Sequence, residues 1–189
     1  MEQTYVIENC KSFNARDIFE CGQCFRWNVQ EDGSYTGIFG KNVLNVKQET
    51  SRNSECGLDV STKIIITGVC DGDIKEVCRK YFDLDRDYEA IKEKLANIDE
   101  YMKESIKYGE GIRILNQDLW EMIISFIVSA NNNIPRIKGI IDRMSKKYGT
   151  CIVFRGQEYY TFPTPEALAT ASMEDLRALG LGFRDKYIF

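Results

Sequence analysis

The chain has 189 residues and a formal net charge of -4, with 43% hydrophobic and 29% charged residues, which is ordinary for a soluble globular protein. It contains no histidine, so Ser-His-Asp and Cys-His catalysis are excluded within these residues. No apolar run reaches the length of about 18 residues that a membrane span needs, and no basic and apolar signal segment opens the sequence. We therefore expect no membrane association and an intracellular location, in a prokaryotic cytoplasm or nucleoid or in a eukaryotic nucleus.

Residues 1 to about 70 contain short runs of β-branched and aromatic residues, which are typical of strands. Gly, Asn and Asp residues between the runs indicate turns, so the pattern predicts an antiparallel sheet. The predicted strands are residues 4–7, 24–29, 34–39, 42–46 and 63–67.

Beyond residue 70 the apolar residues recur at helical spacing. The first predicted helices are residues 73–82, 87–96 and 98–106. Residues 119–128 are apolar nearly all round, which predicts a buried central helix.

Three asparagines at 131–133 are expected to end that central helix and to cap the next one, in which Pro135 stands in the first turn. Thr164 and Pro165 predict a further helix start, and residues 173–178 predict another helical turn.

The predicted fold class is therefore α+β. An amino-terminal antiparallel β-rich domain, residues 1–75, is followed by an all-helical domain, residues 76–189. Residues 183–189 begin an amphipathic helix that ends on apolar side chains with no terminating Gly or Pro, so we expect the helical domain to be incomplete at its carboxy end.

Seven cysteines without a repeating spacing argue against a secreted disulfide framework. Cys21 and Cys24 form one CxxC pair, but a zinc site normally needs a second pair or two histidines. We therefore expect reduced structural thiols, including Cys56, in preference to a metal or redox site.

The acidic net charge is weak evidence against a nucleic-acid partner, because such binding depends on neutralising phosphates. The distribution points the other way in one segment. Between residues 131 and 148 only Asp142 is acidic, which leaves a local charge of +4 from Arg136, Lys138, Arg143, Lys146 and Lys147.

Three segments together resemble the eukaryote-like 8-oxoguanine DNA glycosylase family, of the helix-hairpin-helix superfamily. Residues 22–27 read Gly-Gln-Cys-Phe-Arg-Trp and are similar to the family's GQxFRW motif. Residues 117–137 carry Gln-Asp, Ser-Phe-Ile and the asparagine run, and residues 179–187 carry Leu-Gly-Leu-Gly-Phe-Arg and then Tyr. Order and spacing agree across essentially the whole chain.

The resemblance implies a base-excision repair enzyme that flips 8-oxoguanine out of duplex DNA and removes it. It also implies abasic-site lyase activity through a lysine Schiff base, a monomeric state, and no cofactor or metal. The strictness of the preference for cytosine opposite the lesion, and the balance between lyase and glycosylase activity, are left open.

The resemblance also implies DNA-binding roles for Asn131, Asn132, Arg136, Phe183 and Arg184. Asn131 is expected to enter the gap left by the flipped base, the two arginines to contact the orphaned cytosine, and Phe183 to act as an aromatic wedge where the family usually has Tyr. The alternatives are helix-capping asparagines, solvated surface arginines and a core phenylalanine.

Gly22 is implied to recognise the damaged base, because its backbone carbonyl would accept the extra proton on N7 of 8-oxoguanine. Normal guanine presents an acceptor at N7, so acceptor would face acceptor. The alternative is an ordinary turn glycine.

No residue of the chain matches the family's catalytic lysine and aspartate, which are expected beyond Phe189, so the chain alone is expected to be inactive. Two alternatives remain open: a non-catalytic damage-binding DNA module, and a protein-interaction domain whose acidic helices bind a basic partner.

Overall fold

The computed structural model describes residues 1–52 and 60–189, and Cys56 lies outside them. A five-stranded sheet with the order β1-β5-β4-β3-β2 dominates the first part of the chain. Antiparallel pairing between β1 and β5 sets Gln3 opposite Gly68 and Ile7 opposite Ile64. The strands are β1 Gln3–Ile7, β2 Trp27–Val29, β3 Tyr35–Phe39, β4 Asn42–Arg52 and β5 Val60–Val69.

A short helix that the sequence pattern did not predict, α1 Ala15–Glu20, lies between β1 and β2. The side chain of Asn14 caps it by accepting from the backbone N–H of Asp17 at 3.2 Å. Ile18 and Phe19 are buried. The five strands β1 to β5 confirm the predicted sheet. With the helices that follow, they confirm the α+β class.

The next four helices begin in the same way, because an aspartate precedes each of them. Each aspartate side chain accepts a hydrogen bond from the backbone N–H three residues later, which satisfies a donor that the helix itself leaves unpaired. These helices are α2 Ile74–Tyr81, α3 Tyr88–Ala96, α4 Glu100–Tyr108 and α5 Leu119–Ser129.

The longest helix, α6 Ile134–Tyr148, is followed by a hairpin that was not predicted. Its turn residues Arg155 and Gly156 both have positive φ, 50° and 76°, as tight hairpin turns require. The hairpin strands are β6 Cys151–Phe154 and β7 Gln157–Tyr160, and the chain continues through α7 Pro165–Leu168, α8 Met173–Ala178, a 3-10 turn Gly182–Arg184 and α9 Asp185–Ile188.

The chain separates into two compact units. The first comprises residues 1–24, 28–36 and 44–116, and the second residues 25–27, 37–43 and 117–189. The domain boundary near residue 75 stays a prediction. A core in the second unit gathers buried side chains from α5 to the 3-10 turn, among them Ile124, Val128, Ile140, Met144, Leu176 and Leu181.

The prediction that residues 119–128 form a buried central helix is wrong for α5. Ile124 and Val128 are buried in the core, but Leu119 and Phe126 are 66% and 78% exposed. A helix that is apolar on all sides is expected to be buried, but its sequence does not show which of its faces this chain buries.

Six of the seven cysteines are described, and all six are free thiols. Burial raises the pKa of the Cys70 thiol to about 11, which keeps it protonated near neutral pH. Among the described residues, no helix has both the length and the apolar content to cross a membrane.

Candidate nucleic-acid interface

The asparagine run forms the turn between α5 and α6, and two of its members are structural caps. Asn132 donates from Nδ2 to the carbonyl of Val128 at 3.0 Å, near the end of α5. Asn133 accepts from the backbone N–H of Arg136 at 3.0 Å and so caps α6. The capping interpretation is therefore correct for these two residues.

Asn131 differs from its two neighbours. Its backbone is left-handed, with a φ of 48°, a conformation that Asn tolerates better than most residues. Its side chain is exposed and makes no hydrogen bond to the part of the chain that the structure describes. Both its amide donor and its carbonyl acceptor are available to an external partner.

Arg184 lies beneath this turn and is 2% exposed, so it is not a solvated surface arginine. Its Nε donates to the carbonyl of Ala130 at 3.0 Å, its Nη1 to Leu181 at 3.1 Å, and its Nη2 to Asn131 at 2.9 Å and again to Ala130. The guanidinium therefore ties the turn at 130–131 to the segment 181–184.

Phe183 and Arg136 are the other two exposed residues to which the resemblance assigns DNA contacts. The ring of Phe183 is 56% exposed, so the core-phenylalanine interpretation is wrong, and the guanidinium carbon of Arg184 lies 4.4 Å from the ring centroid. Arg136 is exposed, and its Nη2 donates to the carbonyl of Gly180 at 3.3 Å. Asn131 and Phe183 thus contact the buried Arg184, and Arg136 bonds to Gly180 in the segment just before it. We call these four residues the asparagine-turn cluster.

The other four cations of α6 form hydrogen bonds or ion pairs within the chain, which the count of charges did not indicate. Lys138 donates to the carbonyl of Trp27 at 2.6 Å, and Arg143 donates twice to that of Leu179, at 3.0 and 2.7 Å. Lys146 pairs with Asp142 at 2.9 Å, and Lys147 pairs with Asp175. Arg136 therefore keeps the most donors available for a phosphate or a base.

Gly22 lies in the first unit, in a turn between α1 and β2. Its φ is 88°, and no atom lies within 4 Å of the position a Cβ would occupy, so the backbone is both left-handed and open to solvent. No hydrogen bond to its carbonyl is found within residues 1–52 and 60–189. The acceptor that the resemblance assigns to base recognition is therefore free to be used.

Gln23 holds this turn in place, a role that the sequence analysis missed. Its Nε2 donates to the carbonyls of Ile18 at 2.9 Å and Arg113 at 2.8 Å, and its Oε1 accepts from the N–H of Leu115 at 3.0 Å. All three bonds are to backbone, so the amide fixes where residue 22 lies within the first unit. The signal was present, because Gln is the second residue of the matched GQxFRW segment.

Arg26, from the same segment, forms a buried pair in the second unit. Its Nη1 lies 3.6 Å from a carboxylate oxygen of Glu121, with side-chain exposures of 9% and 13%, and it also donates to the carbonyl of Tyr160. Burial raises the pKa of Glu121, and the Arg26 charge opposes that rise. The pair joins the segment to α5 and the hairpin.

The comparisons with known proteins agree with this architecture. The 8-oxoguanine DNA glycosylase amino-terminal domain model matches residues 6–123. An N-glycosylase/DNA lyase of Saccharomyces cerevisiae is 47% identical over 81 residues, which are 42% of this chain and 22% of the yeast protein.

Solved structures match over nearly the whole chain. MBOgg1 in complex with a low affinity DNA ligand has a TM-score of 0.86 and 44% identity, covering 98% of this chain and 60% of its own. The Clostridium acetobutylicum 8-oxoguanine glycosylase/lyase, bound to duplex DNA with cytosine opposite 8-oxoG, has a TM-score of 0.84 and 39% identity, covering 100% and 62%. The chain thus spans less than two thirds of each relative.

The antiparallel sheet followed by helices is the architecture of the Clostridium acetobutylicum 8-oxoguanine glycosylase/lyase that this chain matches. The chain belongs to the family described as 8-oxoguanine DNA glycosylase, N-terminal domain. The sequence resemblance is confirmed by the family model, the curated relatives and the solved structures.

Proposed function

We propose that residues 1–189 form the DNA-binding and damage-reading part of a base-excision repair glycosylase that removes 8-oxoguanine from duplex DNA by base flipping. The asparagine-turn cluster is the observation that carries the proposal. The exposed residues Asn131 and Phe183 contact the buried Arg184, and the exposed Arg136 bonds to Gly180. The family's solved relatives include complexes with DNA.

In this proposal the cluster reads the strand opposite the lesion. The free amide of Asn131 fills the gap left by the flipped nucleotide and replaces its lost pairing. Arg136 offers planar donors to the two acceptors of the orphaned cytosine, and Phe183 stacks beside that base. Asn132 shapes the turn through its bond to Val128.

Arg184 contributes chiefly as the support of the turn. Its hydrogen bonds to Ala130, Asn131 and Leu181 occupy four of the five guanidinium N–H groups. Any direct contact with cytosine in this conformation is therefore limited to the remaining donor.

Gly22 is proposed to discriminate the damaged base through its free carbonyl. A protonated N7 donates to that oxygen, whereas the N7 of guanine leaves two acceptors facing each other. The three backbone bonds of Gln23 hold the turn, so the carbonyl is already oriented before a base arrives.

The chemical step is proposed to use a lysine amine that attacks C1′ of the sugar and expels the base, which leaves a Schiff base for the lyase reaction. The family resemblance assigns this lysine and the assisting aspartate to a segment outside residues 1–189. The proposal includes a monomeric, intracellular protein that needs no cofactor.

Borohydride trapping on a duplex with one 8-oxoguanine opposite cytosine tests the chemistry. We expect no covalent adduct with residues 1–189, and an adduct when the segment with the lysine and aspartate is supplied in the same chain. An adduct with residues 1–189 alone would show that the nucleophile lies among them and overturn this assignment.

Fluorescence anisotropy on the same duplex tests the reading surface. Arg136→Ala should weaken binding, lower the salt slope by about 1 if a phosphate contact is lost, and reduce the preference for cytosine over adenine about five-fold or more. Lys146→Ala is the matched control, because this exposed cation of the same helix is paired with Asp142. Equal effects of both variants would contradict the proposed reading role.

A further inference from the structure

Two arginines of α6 donate to consecutive backbone carbonyls just after α8. Arg136 donates from Nη2 to the carbonyl of Gly180 at 3.3 Å. Seven residues later, Arg143 donates from Nε at 3.0 Å and from Nη2 at 2.7 Å to the carbonyl of Leu179. Because seven residues are about two helical turns, both arginines leave α6 on the same side. Arg143 therefore holds one peptide unit, and the carbonyl of the next one holds Arg136.

The backbone at Gly180 lies directly against α6. Gly180 has a φ of 92°, and a Cβ there would lie 2.9 Å from Nη2 of Arg143 and 3.7 Å from Cγ1 of Ile140. Its neighbours Leu179 and Leu181 are 6% and 0% exposed. The place of the Gly180 carbonyl is therefore set by buried side chains on both sides and by the guanidinium of Arg143.

The bonds of Arg143 differ in kind from those of the next cation on α6. Lys146 pairs with the carboxylate of Asp142. In the part of the chain that the structure describes, Arg143 has no carboxylate partner, and its two hydrogen bonds go to a single carbonyl. That carbonyl belongs to Leu179, the residue that ends α8, where the last carbonyls of a helix lack helical donors and attract a cation.

The bond from Gly180 restrains an exposed side chain before any ligand arrives. A long side chain that moves freely loses rotamer freedom when it binds, and a bond made in advance reduces that loss. We propose that Arg143 is a positioning residue for reading the base opposite the lesion. It fixes the carbonyl of Gly180, and this carbonyl holds the guanidinium of Arg136. The proposal rests on the proposed function, in which Arg136 contacts the orphaned cytosine.

A direct phosphate contact is the competing role for Arg143, because no carboxylate neutralises its charge. The two roles predict different results. Loss of a phosphate contact weakens binding to every duplex alike and lowers the salt slope by about 1. Loss of positioning lowers the preference for one opposite base and leaves the salt slope unchanged.

Fluorescence anisotropy tests the proposal with duplexes that hold 8-oxoguanine opposite cytosine or adenine, at several salt concentrations and well below each thermal midpoint. Arg143→Ala should reduce the preference for cytosine about three-fold or more, with an unchanged salt slope. Arg143→Lys should recover part of the preference, because an ammonium can still donate to the carbonyl of Leu179. Lys146→Ala, which removes another exposed cation of the same helix, is the matched control and should keep the preference of the parent.

A double-variant cycle shows whether Arg143 acts through Arg136. The combined variant, Arg136→Ala with Arg143→Ala, should lose no more preference than Arg136→Ala alone, because effects that pass through one residue do not add. Losses that add would mean that Arg143 reads the base independently, and would overturn the positioning role. Amide exchange of residues 180–184 should become faster in Arg143→Ala and stay unchanged in Lys146→Ala.

Two further results would contradict the proposal. One is an Arg143→Ala variant that keeps the preference of the parent for cytosine. The other is a variant that binds both duplexes equally more weakly with a lower salt slope. A parent chain without any preference for cytosine would instead refute the proposed reading of the opposite strand, and the exchange of residues 180–184 would then still decide whether Arg143 fixes the backbone there.

Discussion

The Nη2 of Arg184 donates to the backbone carbonyl of Asn131 at 2.9 Å. A buried cation therefore supports the backbone of a residue whose own side-chain amide is exposed. The same guanidinium bonds to Ala130 and Leu181. A left-handed residue such as Asn131 persists only where its surroundings fix it, and Arg184 supplies that constraint.

Arg184→Ala should lower the free energy of unfolding by about 2–4 kcal/mol, because it removes a buried charged donor that bonds to three backbone carbonyls. Arg184→Lys should lose less stability than Arg184→Ala but remain below the parent, because a single ammonium lacks the planar fork that reaches three carbonyls. Urea denaturation measures both. Arg136→Ala, at an exposed position, should change stability by about 0.5 kcal/mol or less, and a comparable loss there would argue against the buried role.

Asn131 allows backbone and side-chain effects to be separated. Asn131→Ala should cost about 1 kcal/mol, because alanine resists a φ of 48°, while Asn131→Gly should be close to neutral. Both remove the amide, so both should weaken binding to the lesion duplex alike. Unequal affinities, measured by anisotropy well below the unfolding temperature, would mean that the backbone matters more than the amide.

Gly37 tests the packing of β3 against the GQxFRW segment. A Cβ on Gly37 would lie 2.7 Å from Cε2 of Trp27, which is 2% exposed. Gly37→Ala should therefore destabilise the chain by about 1–3 kcal/mol through overpacking, as measured by thermal denaturation.

Gly139→Ala is the natural control for that experiment. It lies within α6, where the new Cβ meets only Nη1 of Arg143, at 3.2 Å, and where alanine is the better helix former. We expect this variant to be neutral or slightly stabilised. If both variants lose stability equally, close packing on Trp27 is not the cause.

Asp175 should contribute to the loss of stability that the chain shows as the pH falls into the acid range. The Lys147 ammonium beside it, helped by bonds from Ser172, holds its pKa at about 2. A lowered carboxyl pKa stabilises the fold above the ordinary value of 3.8, and the contribution disappears as the pH falls toward 2.

Asp175→Asn should therefore lower the thermal midpoint at pH 6, and the difference from the parent should shrink between about pH 4 and pH 2. Lys147→Ala should reproduce part of this behaviour. A difference that stays constant down to pH 2 would assign the loss to the helix cap alone.

Much of the fold could be predicted from local pattern. Five β-rich runs gave the five strands, and the aspartates before α2 to α5 are ordinary capping signals. Helix α1 was missed because six residues carry too little periodicity. The hairpin was missed because Arg155-Gly156 is a weaker turn signal than Asn-Gly.

The candidate site was predictable only in part. The family resemblance implied that Asn131, Arg136 and Phe183 contact DNA, and the structure leaves all three side chains exposed. Sequence could not show that Arg184 is buried or that Lys138 and Arg143 are held by backbone carbonyls. Such bonds join residues distant in sequence, so local pattern contains no trace of them.

The division into compact units has a consequence for how this chain is made. Both units are discontinuous in sequence. Residues 25–27 and 37–43 belong to the unit that is otherwise built from residues 117–189. On the ribosome these early residues emerge long before their partners, since synthesis proceeds from the amino terminus. No single cut releases either unit whole, so shuffling experiments need to exchange the polypeptide as one piece.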